Sequence, residues 1–212
     1  MSRLEQNNFL TSERDKIFNY AKSLFLKEGF YKITMDNLAA GLKVSKKTIY
    51  KYFGSKELLV ESIVESIKND VSGRLDIICK SRENAILRLI NLNKLLSTML
   101  IELDDRWIND LRIHLPSLWK EIDEFRTKRL NGTFSTIINE GQKGKLIKNI
   151  PAEMIVMIFL STLRGVINNE FLLNSKFSYK DAIETSLEVL FNGILTNKGQ
   201  KIFNKKITEG LK

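Results

Sequence analysis

An all-α fold of about nine helices is the prediction, and three observations carry it. Apolar residues recur at helical rather than alternating spacing along nearly the whole chain, and no stretch reads as a convincing strand. The 212 residues contain only two prolines and eleven glycines, so long helices run without interruption. Capping residues stand where each apolar stripe begins.

The first helix is predicted from Ser12, with Asp15 three residues on as a capping box. Ile17, Ala21, Leu24 and Phe25 form its apolar stripe. Gly29 ends it, and Phe30 supplies the hydrophobic contact that often follows a C-terminal glycine. Thr34 is a good N-cap for a short second helix with Leu38, Ala39 and Leu42 on its inner face. Ser45 caps a third, and Val44 and Ile49 occupy the two positions of a hydrophobic staple. Gly54 ends that helix, and Ser55 caps a long one over 56–79 with Leu59, Ile63, Ile67, Val71, Leu75 and Ile78 on one stripe.

Further helices are predicted at about 82–103, 105–115 and 117–140, the last two separated by Pro116. GQKGK at 141–145 reads as the clearest loop of the second half. A helix over 151–174 opens at Pro151, and another over 179–196 is capped by Ser178. The lysine-rich tail after 197 reads as loosely held.

Composition narrows the function classes. The chain is 43% hydrophobic and 28% charged, which are globular proportions. Its formal charge is +9, and the first sixty residues hold 11 Lys and Arg against 6 Asp and Glu, over half of the excess. That balance favours a polyanionic partner, nucleic acid or anionic membrane. The lone cysteine, Cys79, forms no internal disulfide and fits a reducing compartment. The N-terminus has no apolar signal region. The longest uncharged apolar run, between Glu153 and Arg164, is about half of the roughly 20 residues a spanning helix needs. A cytoplasmic protein without a membrane partner is expected. One histidine and one cysteine leave no Cys/His metal cluster. No phosphate-binding glycine loop or nucleophile elbow appears. An enzyme is not expected, nor a catalytic residue, cofactor or metal.

The stretch VSKKTIYKYFGSKELL, 44–59, is the most informative. A short helix at 34–42, a turn at 43–45 and a helix at 45–53, with one helix before them, make a helix-turn-helix DNA reader. Val44, Ile49 and Phe53 face inward. Lys46, Lys47, Thr48, Tyr50, Lys51 and Tyr52 lie on or around the other faces, with Ser45 at the cap among the DNA-binding candidates, and lysines there reach phosphates or guanine edges. Lys56 at the next helix start and Thr34 at the start of the second helix offer further anion contacts. The composition alone also suits a solvated face over a small core. A helical module that binds proteins or a membrane surface therefore stays open as a third class beside regulator and enzyme.

Residues 11–60 resemble the DNA-binding domain of the TetR/AcrR family of bacterial transcriptional regulators. The resemblance lies in AKSLFLKEGFYKITMDNLA, 21–39, and in V-S-x-x-T-I-Y-x-Y-F followed by x-S-K-E-x-L. It is looser over 138–166. It implies a helix-turn-helix domain over 1–54 and a helical ligand-binding and dimerisation domain over 55–212. It also implies a homodimer paired through helices 151–174 and 179–196, on a roughly palindromic double-stranded operator.

By that resemblance Thr34, Tyr50 and Lys56 hold phosphates, and Lys46, Lys47 and Thr48 lie nearest base edges. The implied function is a repressor released by an unknown small-molecule effector; activation, or regulation without a ligand, is the alternative. Trp107, Trp119, Phe125, Phe134 and Phe159 are candidates to line a ligand pocket, with His114 and Arg164 as polar candidates, though each aromatic also suits a core. The family usually has glycine in the turn, where this sequence has Lys43. Either Lys43 adopts a positive φ or the turn differs.

Overall fold

The structure, a computed structural model, describes residues 12–102, 104–166 and 179–210. Among the described residues there are ten helices and no strand beyond one isolated bridge. They are α1 (Glu13–Glu28), α2 (Met35–Leu42), α3 (Lys46–Phe53), α4 (Lys56–Lys80), α5 (Ala85–Glu102), α6 (Asp105–His114), α7 (Pro116–Lys143), α8 (Ala152–Val166), α9 (Tyr179–Ile194) and α10 (Asn197–Gly210). No helix among the described residues is long and apolar enough to cross a membrane. Among the described residues two compact units form: residues 12–67 with 104–119, and residues 68–102 with 120–166 and 179–210.

The first unit folds around Ile17, Ala21, Phe25, Leu38, Ile49, Phe53, Leu59 and Ile63, all buried. α1, α2 and α3 pack on one another, and α6 packs on α1. Trp107 of α6 is 2% exposed and meets Phe30 edge-on, with ring centroids 5.5 Å apart. Phe30 in turn lies 6.3 Å from Phe25. Asp104 caps α6 by accepting from the Arg106 backbone N–H. The Arg106 guanidinium bonds the same carboxylate and also donates to the Lys27 carbonyl at the C-terminal end of α1, where a cation is favoured. That pairing holds the Asp104 carboxyl below the usual carboxylate range, chiefly through the side-chain hydrogen bond from Arg106.

The second unit packs Leu75, Ile86, Leu89, Leu92, Phe134, Ile137, Ile155, Phe159, Phe191 and Phe203 into one core. The Phe134 and Phe159 rings meet within it at a tilt of 34°, 3.9 Å between centroids. Arg88 of α5 is buried, yet it is charge-paired: it donates to the Cys79 carbonyl at 2.9 Å and to the Glu140 carboxylate on α7. A buried guanidinium needs such partners to offset its lost hydration.

Two expectations are corrected here. GQKGK is not a loop throughout: α7 continues to Lys143, and only the turn after it leaves the helix. Gly141 is buried, and an added Cβ there would collide with Ile147 and press on Ala85. The tail is not loose. Thr196 caps α10 by accepting from the Gly199 N–H, and its hydroxyl donates to the Lys145 carbonyl at 2.9 Å. Ile202 and Phe203 then pack on the core, Phe203 edge-on to Phe191 at 5.8 Å.

Within the second unit, the segment after α7 is tied to the segment between α9 and α10 by an antiparallel bridge between Ile147 and Leu195, with Lys148 N–H on the Ile194 carbonyl and Thr196 N–H on the Leu146 carbonyl. The expected helix over 151–174 is described only as far as Val166; its remainder lies outside the described residues.

Gly199 sits where a Cβ would collide with the Leu146 carbonyl oxygen, a backbone atom that cannot swing away. Gly73, in the middle of α4, has nothing within reach of an added Cβ. Gly199→Ala is expected to lower stability by about 1–3 kcal/mol. Gly73→Ala is expected to raise it by up to about 1 kcal/mol through helix propensity alone. Urea unfolding of the two variants checks both signs.

Candidate nucleic-acid interface

α2 and α3 are joined by a tight turn whose hydrogen bonds make a Schellman motif. Val44 N–H donates to the Ala39 carbonyl at 3.1 Å, and Lys43 N–H to the Ala40 carbonyl at 3.2 Å. The motif requires a left-handed residue, and Lys43 takes that conformation at φ 56° and ψ 38°. Lys43 therefore adopts the positive φ rather than altering the turn. For a residue with a Cβ this costs on the order of 1–2 kcal/mol.

Each helix start is built by a local cap. Thr34 accepts from the Asn37 N–H at 3.1 Å, and Asn37 reaches back to the Thr34 N–H at 2.8 Å. Ser45 accepts from the Thr48 N–H at 3.0 Å, and its hydroxyl meets that of Thr48 at 2.8 Å. Ser55 caps α4 by accepting from the Leu58 N–H.

α3 has only eight residues, and two of them, Ile49 and Phe53, are buried. Ile49 is 0% exposed. α1 grips the helix from behind. Phe53 stacks on Phe18, 6.4 Å between centroids, and the Arg14 guanidinium lies 5.1 Å over the Phe53 ring. The Tyr52 hydroxyl donates to the Glu13 carboxylate at 3.0 Å, and that bond pushes the phenol up from its ordinary range.

The opposite side of α3 carries Lys46, Lys47, Tyr50 and Lys51, all exposed, with Ser45 exposed and Thr48 half-buried. Lys47 makes no hydrogen bond or ion pair with any described residue, and Lys51 lies 5.6 Å over the Tyr52 ring. Lys46 pairs with Asp36 at 2.9 Å, and the hydrogen bond to that carboxylate raises its ammonium pKa. Lys56 is drawn inward. It donates to the Tyr31 carbonyl at 2.9 Å and lies 5.9 Å over the Phe30 ring, and partial burial lowers its pKa. Two of its three N–H donors remain for another acceptor. Thr34 is exposed at the start of α2, its hydroxyl donating to Asn37.

The arrangement is a short, rigidly backed helix with a cationic, hydroxyl-bearing outer face, the geometry by which a helix-turn-helix enters the major groove. The family model described as "Bacterial regulatory proteins, tetR family" matches residues 17–63, the span of these helices. Over those residues the chain carries a DNA-binding domain of the TetR type. It is a sequence-specific DNA-binding regulator of the TetR type. Among the described residues, no three His, Cys, Asp or Glu are placed to hold a metal ion.

A relative from Bacillus subtilis (strain 168), named "Uncharacterized HTH-type transcriptional regulator YvaF", is 29% identical over 182 residues, covering 82% of this chain and 91% of its own. A transcriptional regulator from Cytophaga hutchinsonii has the same fold, with a TM-score of 0.68 at 23% identity over 86% of this chain and 98% of its own. A regulator from Saccharomonospora viridis, solved in complex with choline, gives a TM-score of 0.71 at 18% identity, covering 87% and 98%.

The family's second domain directs attention to the ligand candidates, which are divided between the units. Trp107, His114 and Trp119 belong to the first. There Trp107 is core, and His114 stacks flat on Tyr31 with centroids 3.6 Å apart. Phe125, Phe134 and Phe159 belong to the second. Phe134 and Phe159 are core, and Phe125 carries the Lys68 ammonium 5.4 Å over its ring. The side chain of Arg164 lies outside the described residues.

Local patterning missed the partners that set the interface from a distance. Glu13, Asp36, Asp104 and Asp110 are ordinary surface acids in the sequence. Yet Asp110 accepts from the Tyr31 N–H at 2.7 Å and fixes the loop that leads to Thr34. No signal of spacing marks a pair 79 residues apart.

The cap of α3 is local and measurable. Ser45→Ala is expected to lower stability by about 1 kcal/mol. Ser45→Asp, which keeps an acceptor, is expected to restore the stability in thermal unfolding.

Proposed function

We propose that the protein is a homodimeric repressor that places α3 of each protomer in the major groove of a roughly palindromic operator and leaves it when a small-molecule effector binds the second unit. The observation that carries the reading is the division of α3: Ile49 and Phe53 face the core, and Lys46, Lys47, Thr48, Tyr50 and Lys51 face outward. On this reading Lys46, Lys47 and Thr48 lie nearest base edges, and Ser45, Tyr50 and Lys51 flank them. Thr34 and Lys56 take phosphates from either side.

Dimerisation finds support in α8 and α9. Ile155, Val156 and Phe159 face the core, while Met154, Met157 and Ile158 stand 57%, 69% and 53% exposed on the same helix. Val189 of α9 is equally exposed. Exposed large apolar side chains of this kind suit burial against a second copy of the chain.

An effector would act by population shift, favouring dimers whose two α3 helices no longer match successive grooves. The choline found with the regulator from Saccharomonospora viridis supports a small-molecule effector here. Phe125, Phe134 and Phe159, with Arg164, are the candidates on the second unit. Repression requires only that the bound dimer occupy a promoter. Activation is distinguished by a reporter gene downstream of the selected site, whose output rises rather than falls with the protein present.

Lys47→Ala is expected to weaken binding to a selected operator duplex at least tenfold with the dimer intact. Unchanged affinity in an anisotropy titration would remove Lys47 from the interface. Asp36→Asn frees Lys46 and removes a carboxylate from the same surface. It is expected to tighten binding severalfold and to steepen the salt dependence.

Met157→Lys is expected to convert dimer to monomer in sedimentation velocity with helical circular dichroism unchanged. A dimer that survives it would place the contact elsewhere.

A further inference from the structure

Lys43 is one of two non-glycine residues with positive φ among the described residues. Its backbone is committed to the Schellman turn, so a glycine would fill the position without steric conflict. Its side chain gains nothing from the fold in return. It is exposed, and no described residue offers it a hydrogen bond or ion pair. The neighbouring cations differ: Lys46 is held by Asp36, and Lys56 by the Tyr31 carbonyl.

Lys43 stands two residues before the N-cap of α3, at the end of the helix that leads into the groove. The free N–H groups of the first turn of α3 and the Lys47 ammonium share that end.

We propose that Lys43 is a DNA-backbone contact: the turn holds a lysine in the left-handed conformation because its ammonium reaches a phosphate at the lip of the groove entered by α3. This rests on the reading of α3 as the recognition helix. The partner is a phosphate oxygen rather than a base edge, because the side chain leaves from the turn and not from the helix face. The contact is therefore electrostatic and indifferent to sequence, and it shows in the salt dependence of binding.

The test uses the full-length protein and a duplex recovered by selection with the wild type from a random-sequence library. Anisotropy titrations at several salt concentrations compare Lys43→Gly, Lys43→Asn, Lys43→Arg and Lys47→Ala. Glycine and asparagine both accept a positive φ, so their turns are preserved, and glycine is expected to raise the melting temperature. Both are expected to lose about fivefold in affinity at moderate salt and to flatten the log–log salt slope by about 0.9 per bound protomer, equally on selected and scrambled duplexes. Lys43→Arg keeps the charge and is expected to retain the wild-type slope.

If Gly and Asn variants bind with wild-type affinity and slope while Lys47→Ala is impaired, Lys43 is not a contact and α3 keeps its role. If Lys43→Arg loses as much as Lys43→Asn, turn geometry rather than charge decides, and the proposal falls. If neither Lys47→Ala nor the Lys43 variants change binding, the placement of α3 fails and takes the proposal with it.

Discussion

The structure of the DNA-reading unit depends on two side chains, Ile49 and Phe53, which tie an eight-residue helix to a core. A helix of that length does not persist alone in water, because nucleation costs more than so few hydrogen bonds return. Its outer face must stay polar to meet DNA, so no further apolar anchor can be added there. Stability has to come from behind. α1 supplies it through Phe18 stacked on Phe53, Arg14 over the same ring and Glu13 on the Tyr52 hydroxyl. Two of these contacts reach the buried Phe53, and the third uses Tyr52, the half-buried position beside it. α1 needs fixing too, and the Phe25–Phe30–Trp107 cluster with the Arg106 bond to Lys27 does this from α6.

What could be read from the sequence follows from how local each interaction is. The caps at Ser12, Thr34, Ser45 and Ser55 each act within three residues. All four are recognisable from spacing and occur as hydrogen bonds. The left-handed turn posed a question the sequence could only frame, since glycine's absence leaves two backbones open and only coordinates choose between them. The α6 contribution was illegible for a physical reason. Trp107 is an apolar residue on a short amphipathic helix, and nothing in its neighbours says which core it enters. The tail misled because its lysines dominate its composition. One phenylalanine, one isoleucine and a threonine cap suffice to dock α10 when a preformed surface around Phe191 awaits it. GQKGK misled in the same way: Gly141 signals close packing against Ile147 rather than the end of a helix.

If α3 reads DNA as proposed, its lysines also differ in what binding would cost them. Lys47 is unencumbered, so contact with a phosphate releases counterions and orders one side chain. Lys46 must first leave Asp36, or else bring a carboxylate toward the phosphates, where like charges repel. On that reading Asp36 would lower affinity for any polyanion and penalise loosely seated complexes most. It relaxes only where the lysine gains a bidentate or base-edge partner good enough to replace it. A surface of this kind trades non-specific affinity for discrimination.

The length of α3 sets a further requirement. Two helical turns present three or four side chains to base edges, and each well-made contact discriminates by about 1–3 kcal/mol. One protomer cannot separate its site from the excess of competing sequence in a genome. Two copies on one duplex roughly double that discrimination, provided their spacing is fixed. The exposed Met154, Met157 and Ile158 on α8 then have a physical rationale. An apolar stripe buried against its twin would hold the spacing without any partner of different sequence, and methionine suits such a surface because its unbranched side chain repacks at small cost. The same adaptability lets the pairing tolerate a change in the spacing of the α3 helices, which release from DNA by an effector would demand. On the proposed reading, specific binding and ligand release would place their demands on one interface, and the apolar stripe of α8 would have to meet both.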